Sequence, residues 1–183
     1  MKRIHLLAML MLMSFLSFAQ QKNAFYESGR VILLDSAINL YQAGNFFISG
    51  QPGDSIFSTL KQKGLDLVIN VRTPEEMEQL KQEGFNEEAF LNKLGIPYVQ
   101  VPIGGAAGFS PDAIKNINSA IENHPGKVMI HCRGAGRASN ALVAWLINYQ
   151  NIPMNDAFTL GKQMQMRFYI EDLLGYELSF DKK

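Results

Sequence analysis

Apolar positions along this chain fall into three patterns, and each predicts a different kind of element. Leu6 to Phe18 is almost wholly apolar, interrupted only by Ser14 and Ser17. Shorter apolar runs follow at Phe46-Phe47-Ile48, at Leu65 to Val71 (broken only by Asp66 and Asn70), at Ile96 to Pro102, and at Lys127-Val128-Met129-Ile130-His131. Near-continuous runs of this length suit parallel strands covered on both faces. The third pattern has helical spacing. Phe25 to Leu40 places Val31, Leu34 and Ile38, with Tyr41 beyond, on one face, which predicts an amphipathic helix ended by Gly44.

Capping signals delimit the other helices. Asp54 is an N-cap for Ser55 to Lys63, and Gly64 stops that helix. Thr73-Pro74-Glu75-Glu76 reads as a capping box with proline at the first helical position and an acidic first turn. That helix carries Met77 and Leu80 and ends near Gly84; a second piece covers about Asn86 to Leu94. Gly104 to Gly108 is a loop, and Ser110-Pro111-Asp112 opens a helix to about Asn123. Arg137 to Tyr149, with Leu142, Val143, Trp145, Leu146 and Ile147, is apolar nearly all round and predicts a buried helix. Pro153 opens another through about Met166, and a last one falls around Tyr169 to Leu178. Strands alternating with helices predict one three-layer α/β domain, its mostly parallel central sheet of about four or five strands flanked by helices.

The leading apolar run changes the picture of what folds. Lys2, Arg3 and His5 precede it, and Ser17-Phe18-Ala19 puts small residues before Gln20. This is the layout of a secretory signal peptide over residues 1–19, leaving 20–183 as a single domain. The run is shorter than the roughly 20 residues a spanning helix needs, so no stable membrane insertion is expected after cleavage. The expected location is periplasmic or secreted. The whole chain has 17 basic and 17 acidic residues, and removal of Lys2 and Arg3 leaves an excess of two acidic ones. Nothing in that balance suits nucleic acid. His124 and His131 are the only histidines after residue 19, which leaves no His/Cys set for a metal, and no cofactor is implied.

The sequence holds one cysteine. An unpaired thiol in an exported chain needs a reason. A free cysteine is most often a small buried apolar residue, but the neighbours of this one point to chemistry. His131-Cys132-Arg133-Gly134-Ala135-Gly136-Arg137 follows a strand and opens the apolar helix. Gly134, Ala135 and Gly136 are small enough for successive backbone N–H groups to form a concave nest, to which the helix adds its own unpaired N–H groups and dipole. Arg137 can grip oxygens in a bidentate manner. The same field favours thiolate over thiol and makes Cys132 a nucleophile candidate. Arg133 and Arg72, the latter at the end of the Leu65 to Val71 strand, are further cations for an anionic substrate. Arg72 has the alternative of pairing with Glu75 or Glu76. Gln51 has a turn-stabilising role or a place in the pocket, and Asp112 reads first as helix-dipole stabilisation.

His131-Cys132-x4-Arg137 resembles the signature of cysteine-dependent phosphatases. The wider pattern resembles the bacterial DUF442 branch, the beta-lactamase hydrolase-like phosphatase-like family. Phe47-Ile48-Ser49-Gly50-Gln51-Pro52 is similar to its opening strand and turn, Val68-Ile69-Asn70-Val71-Arg72 to its second strand, and Val101-Pro102-Ile103 to the third. The match spans about residues 45–165. The resemblance implies a dual-specificity-phosphatase fold, Cys132 as nucleophile through a phosphocysteine, Arg137 as clamp, and N–H groups from Arg133 to Arg137 around the oxyanion. It implies a supporting role for His131 under the loop. It also makes Ser139 a candidate to bond the thiolate.

Two departures keep other chemistry open. Tyrosine phosphatases place five residues between cysteine and arginine, whereas this chain has four, as rhodanese-type sulfurtransferases do. The segment matching the general-acid loop, Ile103-Gly104-Gly105-Ala106, has no carboxylate. The substrate expected is a small phosphorylated or sulfur-bearing molecule. The alternatives are a persulfide carried on Cys132 in sulfur transfer and a non-catalytic anion-binding module.

Overall fold

The computed structural model describes residues 30–124, 126–167 and 170–178. The proposed signal peptide, the start of the expected Phe25 helix and the start of the expected last helix lie outside these residues.

Among the described residues the sheet has six strands: β1 (Val31–Asp35), β2 (Leu40–Ala43), β3 (Phe46–Ser49), β4 (Leu65–Asn70), β5 (Tyr98–Gln100) and β6 (Lys127–His131). Their spatial order is β1-β2-β3-β6-β4-β5. The last four in that order pair in parallel, β3 with β6, β6 with β4, and β4 with β5. The helices are α1 (Asp54–Gln62), α2 (Pro74–Gln82), α3 (Glu87–Leu94), α4 (Pro111–Glu122), α5 (Gly136–Gln150), α6 (Met154–Gln163) and α7 (Glu171–Leu174). A short 3-10 turn, Gly105–Ala107, lies in the expected loop.

The three-layer α/β expectation holds, with a correction at its start. In place of a helix over Phe25 to Leu40, β1 and β2 pair antiparallel, and β2 pairs antiparallel with β3. Ala43 faces Phe46, so Gly44-Asn45 is a two-residue hairpin turn with Gly44 at φ 57°. Helical spacing was misleading here because β1 is an edge strand whose Ile32, Leu33 and Leu34 are exposed, and it shows no alternation. The two added strands take the sheet past the four or five expected.

Alternation does govern the centre of the sheet. Val128 and Ile130 of β6, Leu67 and Ile69 of β4, and Ile48 of β3 enter one core, which is closed by α4 to α7. Met129, Val68 and Phe47 point the other way, into a second core with Phe57 and Leu60 of α1 and Leu91 of α3. Alpha5 is buried along most of its length, as its composition predicts, and Trp145 is core, its indole N–H donating to Asn118 Oδ1 at 2.9 Å. No helix among the described residues is long and apolar enough to cross a membrane.

This topology sets β6 between β3 and β4, with the carboxyl ends of all three together. The Cys132 N–H donates to Ser49 O (3.2 Å), and the Val71 N–H to His131 O (2.9 Å). Open α/β sheets bind ligands at that end of their strands.

Candidate active site

The cysteine loop turns sharply between β6 and α5. Ala135 is its pivot, at φ 71° and fully buried, and α5 begins at the next residue. An αL residue just before a helix supplies the concavity that small side chains predicted. The turn after β3 braces the loop from beside it. Gly50 forms a β-bridge with Gly134, and the Gln51 N–H donates to Arg133 O at 3.3 Å. A Cβ on Gly50 would stand 2.7 Å from Ile38 O and 3.0 Å from Arg133 O, so only glycine fits between these backbones.

Cys132, Arg133, Gly134, Gly136 and Arg137 line one cleft of about 410 Å³ together with Arg167. Cys132 is buried and free. Arg137 is half-buried and rigidly held. Its Nη1 and Nη2 donate to the two carboxylate oxygens of Glu76 at 2.8 and 2.7 Å, and Nη1 also donates to Ile103 O at 2.9 Å. Burial works to lower the Arg137 pKa, but the Glu76 bond and the charge of Cys132 outweigh it, so its pKa is raised.

Glu76 has two tasks. It completes the predicted capping box, its Oε2 accepting the Thr73 N–H at 3.0 Å while Thr73 Oγ1 accepts the Glu76 N–H. The same carboxylate anchors Arg137. The Arg137 hydrogen bond, helped by the Thr73 N–H and the charges of Arg137 and Arg72, lowers the Glu76 pKa to about 2 against the opposing effect of burial.

Arg72 is buried and engaged rather than free in the cleft. Nη1 donates to Gln51 Oε1, Nη2 donates to Glu76 O at 3.2 Å, and Nε lies 3.6 Å from Glu76 Oε1. Of its two expected uses, the structure gives it the pairing, with Glu76 rather than Glu75.

His131 lies fully buried beneath the loop, its Nε2 2.9 Å from Glu87 Oε1. Glu87 also accepts from Asn70 Nδ2 at 2.9 Å and from Gln51 Nε2. Burial would raise the Glu87 pKa, but the charge and hydrogen bond of His131, with Gln51 and Asn70, lower it overall. Tyr98, whose hydroxyl accepts from Asn70 Nδ2, has its pKa raised by burial and by Glu87. The Ser139 hydroxyl does not turn to Cys132. It donates to Ala135 O at 3.0 Å and to Met164 O, so its contact with the loop is through the pivot carbonyl. Asp112 is exposed in the first turn of α4 and is not part of the cleft lining. His124 sits 3.8 Å from Asp66.

Three participants were missed from sequence. Glu87 looks like any acidic residue in a helix's first turn, and Arg167 lies 30 positions beyond Arg137, with no local cue. Asn70 gave a faint signal as a polar break in an apolar strand. Among the described residues, no group of three or more His, Cys, Asp or Glu is placed to hold a metal ion.

A central parallel sheet whose middle strand delivers a cysteine, followed by a small-residue turn and an arginine at a helix start, defines a cysteine-phosphatase-like α/β protein. Residues 44–150 match the family model described as "Beta-lactamase hydrolase-like protein, phosphatase-like domain", which covers more than half of the chain, and the chain belongs to that family. Human dual specificity protein phosphatase 9 is 26% identical over 147 residues, 74% of this chain and 35% of the relative, so the chain spans about a third of that protein's length. A DUF442 phosphatase structure from Shewanella putrefaciens CN-32 is similar at TM-score 0.50 and 26% identity, covering 65% of this chain and 74% of the other. P. aeruginosa TpbA, as a Cys-to-Ser variant in complex with phosphotyrosine, shares the fold at TM-score 0.55 and 16% identity, covering 80% and 86%. The matching family is phosphatase-like by its description, and these likenesses are to phosphatases.

Proposed function

We propose that the protein is a cysteine-dependent phosphatase working through the Cys132-x4-Arg137 loop. The observation that carries this reading is the cleft in which Cys132 and a doubly anchored Arg137 stand together. The Cys132 thiolate attacks phosphorus, forming the S–P bond as the bond to the ester oxygen breaks. Arg137 and the loop N–H groups take up charge on the phosphoryl oxygens. The departing oxygen is protonated from solvent. A water oxygen then attacks phosphorus, the S–P bond breaks, and phosphate leaves with the thiolate restored. Since no carboxylate lines the cleft among the described residues, esters with stable leaving groups such as aryl phosphates are favoured. Phosphotyrosine and para-nitrophenyl phosphate are the test substrates. Wild type should release phosphate and Cys132→Ser should not, with phosphate trapped on Cys132 in rapidly quenched samples. Equal rates in the two proteins would sink the reading.

Two features support a second chemistry at the same cysteine. The loop has four residues between Cys132 and Arg137, and the facing Gly104 to Gly108 segment has no acid. Both suit sulfur transfer, in which Cys132 takes the outer sulfur of thiosulfate and releases sulfite, then hands that sulfur to cyanide. Mass spectrometry after thiosulfate treatment decides it, since an unmodified thiol removes this alternative.

A further inference from the structure

Arg167 lies in the cleft, and the chemistry above does not use it. Its placement is heavily determined. The chain after α6 turns at Gln165 (φ 66°), and the Met166 N–H returns to Gly161 O at 3.0 Å. Two buried polar side chains in the first turns of α5 hold the segment: Ser139 donates to Met164 O, and Asn140 Oδ1 accepts the Arg167 N–H at 2.9 Å. Both follow Arg137 closely in sequence, so the backbone carrying Arg167 is fixed to the helix that carries the loop. The Arg167 stem then lies over Gly136. A Cβ there would stand 3.1 Å from Arg167 Cδ and Nε.

The cations of the site divide into two sets. Arg137 and Arg72 are matched by Glu76, and Arg72 also by Gln51. Arg133 and Arg167 are exposed, and among the described residues nothing accepts from their guanidinium groups and no carboxylate lines the cleft. An arginine with a fixed backbone, a supported stem and a free planar head is prepared for a carboxylate or phosphate. One phosphoryl group is already served by the loop and Arg137.

We propose that Arg167 binds a second anionic group on the substrate, so that the substrate class is small phosphoesters carrying an additional phosphate or carboxylate. A cleft of about 410 Å³ matches a small molecule. The inference rests on the phosphatase reading of Cys132 and names the substrate class of that site.

The test uses non-hydrolysable ligands, so it does not depend on turnover. Calorimetry on the wild-type protein compares alkyl monophosphonates with alkylene bisphosphonates of increasing spacer length. Phosphonocarboxylates of the same lengths distinguish phosphate from carboxylate as the second group. At least one ligand with two anionic groups should bind about tenfold more tightly than its monophosphonate. Arg167→Gln, which keeps the stem over Gly136 without the charge, should bring that ratio close to one, and Arg167→Lys should retain part of it. A ratio near one at every length in wild type overturns the proposal. So does a preference that survives in folded Arg167→Gln. Hydrolysis of para-nitrophenyl phosphate is measured in parallel. A preference for two anionic groups without Cys132-dependent turnover removes the phosphatase reading and leaves the paired-anion site, whereas turnover without preference does the reverse.

Discussion

Substituting Glu76 by Gln isolates a single charge. Glutamine at this position still accepts from the Thr73 N–H, because a capping box works with either residue. What disappears is the carboxylate that grips both outer nitrogens of Arg137. The drop from 4.5 to about 2 in Glu76 sets an upper limit of about 3.4 kcal/mol at 1.36 kcal/mol per pH unit. The side chain is 24% exposed, so solvent screening reduces this, and a loss of about 1–2 kcal/mol is expected at neutral pH. A carboxyl whose folded value is depressed contributes fully above its unfolded value, and the contribution falls away as pH drops toward the folded one. The difference in urea stability between wild type and Glu76→Gln should therefore be constant from neutral pH down to about 5 and more than half gone by about pH 3. A difference that stays flat to pH 3 would refute the argument. On the proposed substrates, Arg137 held only by Ile103 O should lower kcat/KM by roughly 10- to 100-fold, the scale of a misplaced catalytic group.

Gly50→Ala drives a methyl group into two backbone carbonyls and should destabilise by about 2 kcal/mol or more in denaturant titration; a neutral result would mean that the Gly50–Gly134 contact yields easily. Glu87→Ala leaves buried His131 and Asn70, and part-buried Gln51, without their shared acceptor and should cost about 3–5 kcal/mol by the same measurement, with Glu87→Gln costing less. Since the Glu87 pKa is lowered, its contribution is present at neutral pH and fades on acidification, so the Glu87→Ala difference should shrink in acid. Cys132→Ser should melt close to wild type while losing turnover. Expression of the full chain in a secreting host, followed by N-terminal sequencing, should give Gln20 as the first residue; retention of Met1 would contradict the signal-peptide reading.

Local rules were legible in the sequence, and long-range ones were not. The Thr73–Glu76 capping box, the buried α5 and the parallel central strands all follow from residues a few positions apart, and all appear as expected. The anchoring of Arg137 by Glu76 joins residues 61 positions apart, and that of His131 by Glu87 joins residues 44 apart. No periodicity reports such pairs. Glu76 shows the limit well, because capping and a pairing with Arg72 already accounted for it and hid its bond to Arg137. Gln51 is similar: a turn residue by composition, it spans Arg72 and Glu87 in the fold. The helix expected over Phe25 to Leu40 failed for another reason. Exposed Leu33 and Leu34 on an edge strand carry no burial signal, while Leu40 and Tyr41 do. Gly44, expected to end that helix, instead closes the β2–β3 hairpin.

The Gly104 to Gly108 segment bears on how this site can change over generations. Gly104, Gly105 and Gly108 all have positive φ (98°, 57° and 66°), and a Cβ on Gly105 would stand 3.0 Å from Thr73 Cγ2. A side chain at any of the three works against the backbone. Ala106 and Ala107, exposed within the short 3-10 turn, carry no such penalty. Within this segment, acquisition of an acid is therefore channelled to two neighbouring alanines, and related sequences that hydrolyse poorer leaving groups should carry Asp or Glu at one of them.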